Sequence, residues 1–122
     1  MQSSRIYVGG ELFFELPAKP SEWLFSIKFW DSVNNQCDTF FDQYEEDYVD
    51  ERIGAEVVKK LDNICQSLAA GPGDDVVFSR GWSAGCELLE SISKVDLLNS
   101  IIEFKNGLSA AMMAGKDISL SL

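Results

Sequence analysis

Apolar positions change period several times along the chain, and each change marks an element. Arg5-Ile6-Tyr7-Val8 and Glu11-Leu12-Phe13-Phe14-Glu15-Leu16 are strand-like, and Gly9-Gly10 between them suits the positive φ angles of a two-residue hairpin turn. Pro17 and Pro20 interrupt the pattern, because neither can donate to a ladder. Ser21 then stands as N-cap of segment 22–30, which is apolar on nearly every side. That segment reads as a buried helix, although its alternation also admits a strand.

Val49, Ile53, Val57, Leu61, Ile64 and Leu68 recur at steps of three and four. This stripe predicts one long helix from about Thr39 to Ala70, with Gly54 a weak point costing about 1 kcal/mol relative to alanine. Gly71-Pro72-Gly73 ends it, and Val76-Val77-Phe78 follows as a strand. Leu88, Leu89 and Ile92 fit a short helix or a strand. Asp96 is a suitable cap for a further helix carrying Leu97, Leu98, Ile101, Ile102, Leu108 and Met112, and Gly115 terminates it. Residues 117–122 alternate as a final strand. The expected fold is α+β or α/β: one domain over residues 1–122, a small sheet with an N-terminal hairpin and a C-terminal strand, packed by two or three helices.

Charge changes this picture more than composition does. The hydrophobic fraction of 46% is that of an ordered domain, and no apolar run approaches the ~18 residues of a membrane span. Met1–Arg5 is followed by no apolar stretch of the signal-peptide type, so a cytoplasmic protein is expected, without a membrane partner. Net charge is −10, and residues 31–56 hold nine acids against one base, Arg52, leaving only −2 for the other 96 residues. On a helix, Asp38/Asp42, Asp42/Glu46, Glu46/Asp50 and Asp47/Glu51 would be four like-charge pairs, costing about 1–2 kcal/mol together, whereas Glu56/Lys60 would be favourable. Solvated helix acids are common. Here, however, they continue past the first turn, beyond reach of the helix dipole, and enclose Tyr44 and Tyr48 one turn apart.

Candidate chemistry narrows quickly. Gly81-Trp82-Ser83-Ala84-Gly85 fits G-x-S-x-G, the strand-to-helix turn that presents a serine nucleophile. The chain has no histidine, which leaves Ser83 without its usual base, Lys94 being the nearest candidate lysine, and removes the His-ligated zinc and Glu-x-x-His di-iron patterns. Cys37, Cys65 and Cys86 form no C-x-x-C pair and are expected to be reduced, mostly buried thiols. The acidic run lacks the central glycine and spacing of an EF-hand loop, so no metal or cofactor is expected. The pentapeptide is better explained as a tight turn, with Trp82 a candidate contact residue.

Phosphates would be repelled by this surface, so nucleic acid is not the expected partner. A basic protein is. In size, acidity and Tyr-carboxylate surface the chain resembles the small acidic immunity proteins that bacteria make against toxins. Its ending, Ala110-Ala111-Met112-Met113-Ala114-Gly115-Lys116-Asp117-Ile118-Ser119-Leu120-Ser121-Leu122, is similar to the helix-glycine-strand ending of the barstar-type ribonuclease inhibitors. The N-terminal hairpin and segment 22–30 have no place in that fold. The resemblance implies an intracellular, non-catalytic protein that neutralises a basic toxin effector of nuclease type. Asp42, Glu45, Glu46, Asp47, Asp50 and Glu51 would meet Lys and Arg, with Tyr44, Tyr48 and Trp82 giving contact area. The second expectation is a self-associating adaptor, a homodimer burying Trp23, Phe29 and Trp30.

Overall fold

Gly9 and Gly10, at φ +57° and +82°, turn the chain between β1 (Ser4–Val8) and β2 (Glu11–Leu16), as their spacing predicts. The structure is a computed structural model and describes residues 2–122. The two strands pair antiparallel, with a bulge where the register shifts between Ile6 and Tyr7.

The next helix, α1 (Ala18–Ser26), starts earlier than Ser21. Pro20 is tolerated in its first turn, where backbone N–H groups have no intrahelical partner. Ser21 is buried instead of capping, its hydroxyl sharing a hydrogen bond of 2.5 Å with that of Ser4. Lys28, at φ +62°, ends the apolar segment as one helix and starts a second, α2 (Phe29–Cys37).

The expected helix from Thr39 is not formed. Residues 39–45 are loop, β3 (Glu46–Val49) follows, and α3 runs only from Glu51 to Ala70. Asp50 is its N-cap: Oδ1 accepts from the Ile53 amide at 2.8 Å. Extending the helix upstream would have stacked the four like-charge pairs, while the loop lets Phe41 bury against Trp30, ring centroids 5.4 Å apart. Burying such a ring is worth about 1.5–3 kcal/mol, so it and the avoided repulsion favour the same outcome. Further along α3, Glu56 and Lys60 both reach α2, Glu56 accepting from Gln36 and Lys60 donating to the Ser32 hydroxyl.

β4 (Asp75–Ser83) and β5 (Cys86–Ser93) form a two-stranded antiparallel hairpin, which settles segment 86–92 as strand. α4 (Lys94–Met113) begins directly after it, capped by Ser93, whose hydroxyl accepts from the Asp96 amide at 3.1 Å. Asp96 is therefore a first-turn acid and not the cap. Gly115, at φ +70°, turns the chain into β6 (Ile118–Ser121), the expected last strand.

The larger sheet has strand order β2-β1-β6-β3, and all its pairs are antiparallel, so the fold is α+β. There are four helices among the described residues, because the break at Lys28 divides the 22–30 region. One sheet face, carrying Ile6, Val8, Leu16, Val49, Ile118 and Leu120, is buried with Val57 and Leu61 of α3 and Leu97, Ile101, Phe104 and Leu108 of α4. Trp23, Phe29 and Trp30 lie in this same core, so they are not free to bury in a homodimer. Gly107 permits the close approach of Phe14, whose ring stacks 6.2 Å from Phe104; an added Cβ would meet it at 3.1 Å. No helix among the described residues is long and apolar enough to cross a membrane.

Candidate functional site

The acid-rich segment 38–50 is fastened from beneath. The Asn34 amide in α2 donates to the Phe41 carbonyl at 2.8 Å, while its oxygen accepts from the Phe41 amide at 2.7 Å and the Thr39 hydroxyl at 2.8 Å. Phe41 is buried, and Gln43 donates to the buried Glu22 carboxylate at 2.6 Å. The Glu45 carbonyl accepts from the Leu122 amide at 3.0 Å, which joins the loop to the sheet. The chain is thus tied inward at Phe41 and Gln43 by side chains and at Glu45 by its backbone, and the side chains of Phe40, Asp42 and Tyr44 between them are exposed. Phe40 is 85% exposed, Tyr44 71% and Tyr48 79%, far beyond what core-forming rings show.

The carboxylates form no single helix face and fall on both sides of β3. Asp42, Glu45 and Glu46 are exposed, and Asp47 is half-buried. Glu46 and Tyr48 alternate with Asp47 and Val49, so they project from the sheet face opposite the core. Glu46 accepts from the Ser119 hydroxyl at 3.0 Å, and Ser119 stands in register between Tyr7 of β1 and Tyr48 of β3. In the neighbouring row of that outer face, Arg5 and Glu15 make an ion pair at 2.5 Å, whose hydrogen bond holds the Glu15 carboxyl below its ordinary range. Asp50 is committed to capping α3, and Glu51 occupies its first turn, where the dipole favours an acid. Tyr48, Asp50, Glu51, Met112, Lys116 and Asp117 line an open groove of about 480 Å³ beyond the end of β3. The carboxylates line up along this edge without converging: among the described residues, no three acidic or thiol side chains gather closely enough to hold a metal ion.

The G-x-S-x-G pentapeptide closes the β4–β5 hairpin. Ser83 pairs with Cys86, and Ala84-Gly85 turn at φ +51° and +77°, the signs required by a type I′ turn. A strand follows where a nucleophile elbow requires a helix. Lys94 lies at the foot of the hairpin, where its ammonium donates to the Gly71 carbonyl, the full length of β5 from Ser83. At about 3.4 Å per residue that is roughly 24 Å, so Lys94 cannot serve as base for Ser83.

Trp82 is 71% exposed and pairs with Glu87. The register places Val77, Ser79, Leu89 and Trp82 on the same outward face of the ribbon, and Val77 and Leu89 are also exposed. Cys86 is exposed at the hairpin tip, while Cys37 and Cys65 are buried, and burial pushes the Cys65 thiol up despite nearby Lys105. A groove of about 260 Å³, lined by Glu22, Lys28, Gln43, Ser79 and Arg80, separates the hairpin from the acidic segment.

Sequence reasoning missed Phe40 as an exposed aromatic and Asn34 as the residue that orders the loop. The available signal was Phe40-Phe41 between two aspartates: adjacent aromatics on an extended chain face opposite ways, one inward and one outward. Comparison of the chain with family models, curated proteins and solved structures finds no match to any of them.

Proposed function

We propose that this protein is a non-catalytic binding protein that neutralises a basic partner, an effector domain of nuclease type, in the manner of a toxin-immunity protein acting inside the cell. The observation that carries the reading is the fastened segment 38–50, where Phe40, Tyr44 and Tyr48 stand exposed among Asp42, Glu45, Glu46 and Asp47. Ordering before contact reduces the entropy cost of binding, and rigid aromatics supply area with few rotors to freeze. Clustered carboxylates accelerate encounter with a cationic surface, and a nuclease cleft is cationic because it holds phosphates. Trp82, two residues beyond Arg80 at the 260 Å³ groove, adds a second contact on the hairpin.

The test is whether the neighbouring gene encodes a basic, nuclease-type effector domain and, with that domain co-expressed, whether affinity and nuclease activity measured at low and high salt show a charge-dependent inhibitor. Asp42→Lys and Glu45→Lys are the informative variants, because neither side chain caps a helix or contributes to the core. The double variant is expected to weaken binding at least 100-fold and to release nuclease activity. Binding unchanged by reversal and by salt would overturn the reading.

One observation favours a second reading, self-association. Val77, Leu89 and Trp82 form an exposed apolar face on a ribbon whose two strands both have free edges. Light scattering on the isolated chain decides it: a monomer at 100 μM removes the adaptor.

A further inference from the structure

The sheet has two edges, and they differ. β2 carries the bulge, an irregularity that discourages pairing, whereas β3 runs in unbroken register from Glu46 opposite Ser121 to Val49 opposite Ile118. The hydrogen-bond phase of β3 follows from two contacts. The Leu122 amide donates to the Glu45 carbonyl, and the Gly9 amide donates to the Asp117 carbonyl. Alternate residues of β6 therefore serve alternate neighbours: 118, 120 and 122 face β3, and 117, 119 and 121 face β1. On β3, the backbone groups of Glu45, Asp47 and Val49 are turned to β6, and those of Glu46 and Tyr48 are turned to the free edge. Among the described residues β6 is its single strand neighbour.

We infer that the β3 edge accepts an extended, Lys/Arg-rich segment of the partner protein as a fifth strand of the sheet. The occupant is chosen by charge. A second copy pairing antiparallel would oppose two carboxylates in each register centred on Glu46, Asp47 or Tyr48 (Glu46 against Glu46, Asp47 against Asp47, or Glu46 against Asp50), which is destabilising for directly opposed residues. A strand with a basic residue at every second position would instead set its cations across from Glu46 on the outer face. An Arg opposite Tyr48 would gain the ring face as well. The N–H and C=O groups of Glu46 and Tyr48 offer four main-chain hydrogen bonds, and the groove beyond Val49, with Asp50, Glu51 and Asp117 against the single base Lys116, continues with a net negative lining. The inference rests on the binding reading above and specifies its geometry.

The probe is an octapeptide alternating Arg and Val, used unmodified, N-methylated on every Val, or N-methylated on every Arg. A strand turns only alternate amides to its neighbour, so one methylated form is expected to bind at least tenfold more weakly and the other to bind nearly as well. In the protein alone, amide hydrogen exchange is expected to be slow at Asp47 and Val49 and fast at Glu46 and Tyr48. Millimolar unmodified peptide is expected to slow the latter two at least tenfold. Tyr48→Pro removes an edge-facing donor and should weaken binding at least tenfold more than Tyr48→Ala. Should Tyr48→Pro fail to give a folded amide spectrum, the methylated peptides decide on the unaltered protein.

Three equally bound peptides, or unslowed Glu46 and Tyr48 amides, overturn the fifth strand. If binding then still falls with salt and with Glu45→Lys, the acidic surface survives as a side-chain contact. If neither matters, the proposed function fails as well.

Discussion

Segment 38–50 and the β4–β5 hairpin both hold aromatic side chains in water, by opposite means. The segment has little regular structure of its own and is tied inward at Phe41, Gln43 and Glu45 by α1, α2 and the C-terminal residue. The hairpin is regular but tied to the body near its foot, through buried Phe78, Lys19 on the Ser91 carbonyl and Lys94 on Gly71. Beyond Arg80 every residue to Glu87 is exposed, and only the hairpin's own ladder holds it. Irregular backbone can thus be the better ordered surface when side chains beneath it satisfy its polar groups. A charged contact surface gains from that order, because its carboxylates cannot spread apart to relieve their repulsion.

The largest expected effect breaks the first half of this comparison. Asn34→Ala removes a side chain that makes three hydrogen bonds to 39–41 and leaves the Phe41 amide and carbonyl without those partners. Leaving such groups unsatisfied costs about 1–3 kcal/mol, so a loss of roughly 2 kcal/mol in urea denaturation is expected. Amide exchange should quicken across 39–45 and stay unchanged in β4 and β5. A loss below about 0.5 kcal/mol would show that the segment is not fastened through Asn34.

The same contrast explains what was legible in the sequence. The first hairpin is announced by Gly9-Gly10, and α4 and β6 by clear periodicity with Gly115 between them; these are local signals acting where they stand. Segment 39–50 misled because Val49 falls in phase with Ile53 and Val57, so the α3 stripe seemed to begin earlier than Asp50 allows. What decides there is tertiary: Phe41 reaching Trp30 and Asn34 reaching back across the turn, partners seven to eleven residues away that no periodicity displays. The second hairpin was obscured by a catalytic-looking pentapeptide whose turn residue, Ala84, is unusual at positive φ. The candidate acids were legible as a cluster, but not the surface they form, because that depends on strand β3 and its free edge.

Ala84 also yields the middle-sized effect, in the hairpin. A left-handed conformation costs an L-residue about 1–2 kcal/mol, and glycine avoids that cost while losing more chain entropy on folding. Ala84→Gly should therefore stabilise the protein by about 0.5 kcal/mol and slow amide exchange at the turn-flanking residues Ser83 and Cys86. An unchanged exchange rate at the tip would mean that the Ala84-Gly85 turn does not limit hairpin order.

The smallest effect on stability belongs to Trp82, and it is the sharpest separation of the two surfaces. Trp23 and Trp30 are buried and Trp82 is not, so Trp82→Ala should change stability by less than about 0.5 kcal/mol while removing nearly all iodide-quenchable tryptophan emission. If the hairpin shares the contact, the same variant lowers affinity for the basic partner at least tenfold, since an exposed tryptophan that becomes buried is the commonest type of interface anchor. A change within twofold assigns the contact to segment 38–50 alone. Because the fold is indifferent to this side chain, either result reports on binding and not on folding, which no substitution beneath segment 38–50 can offer.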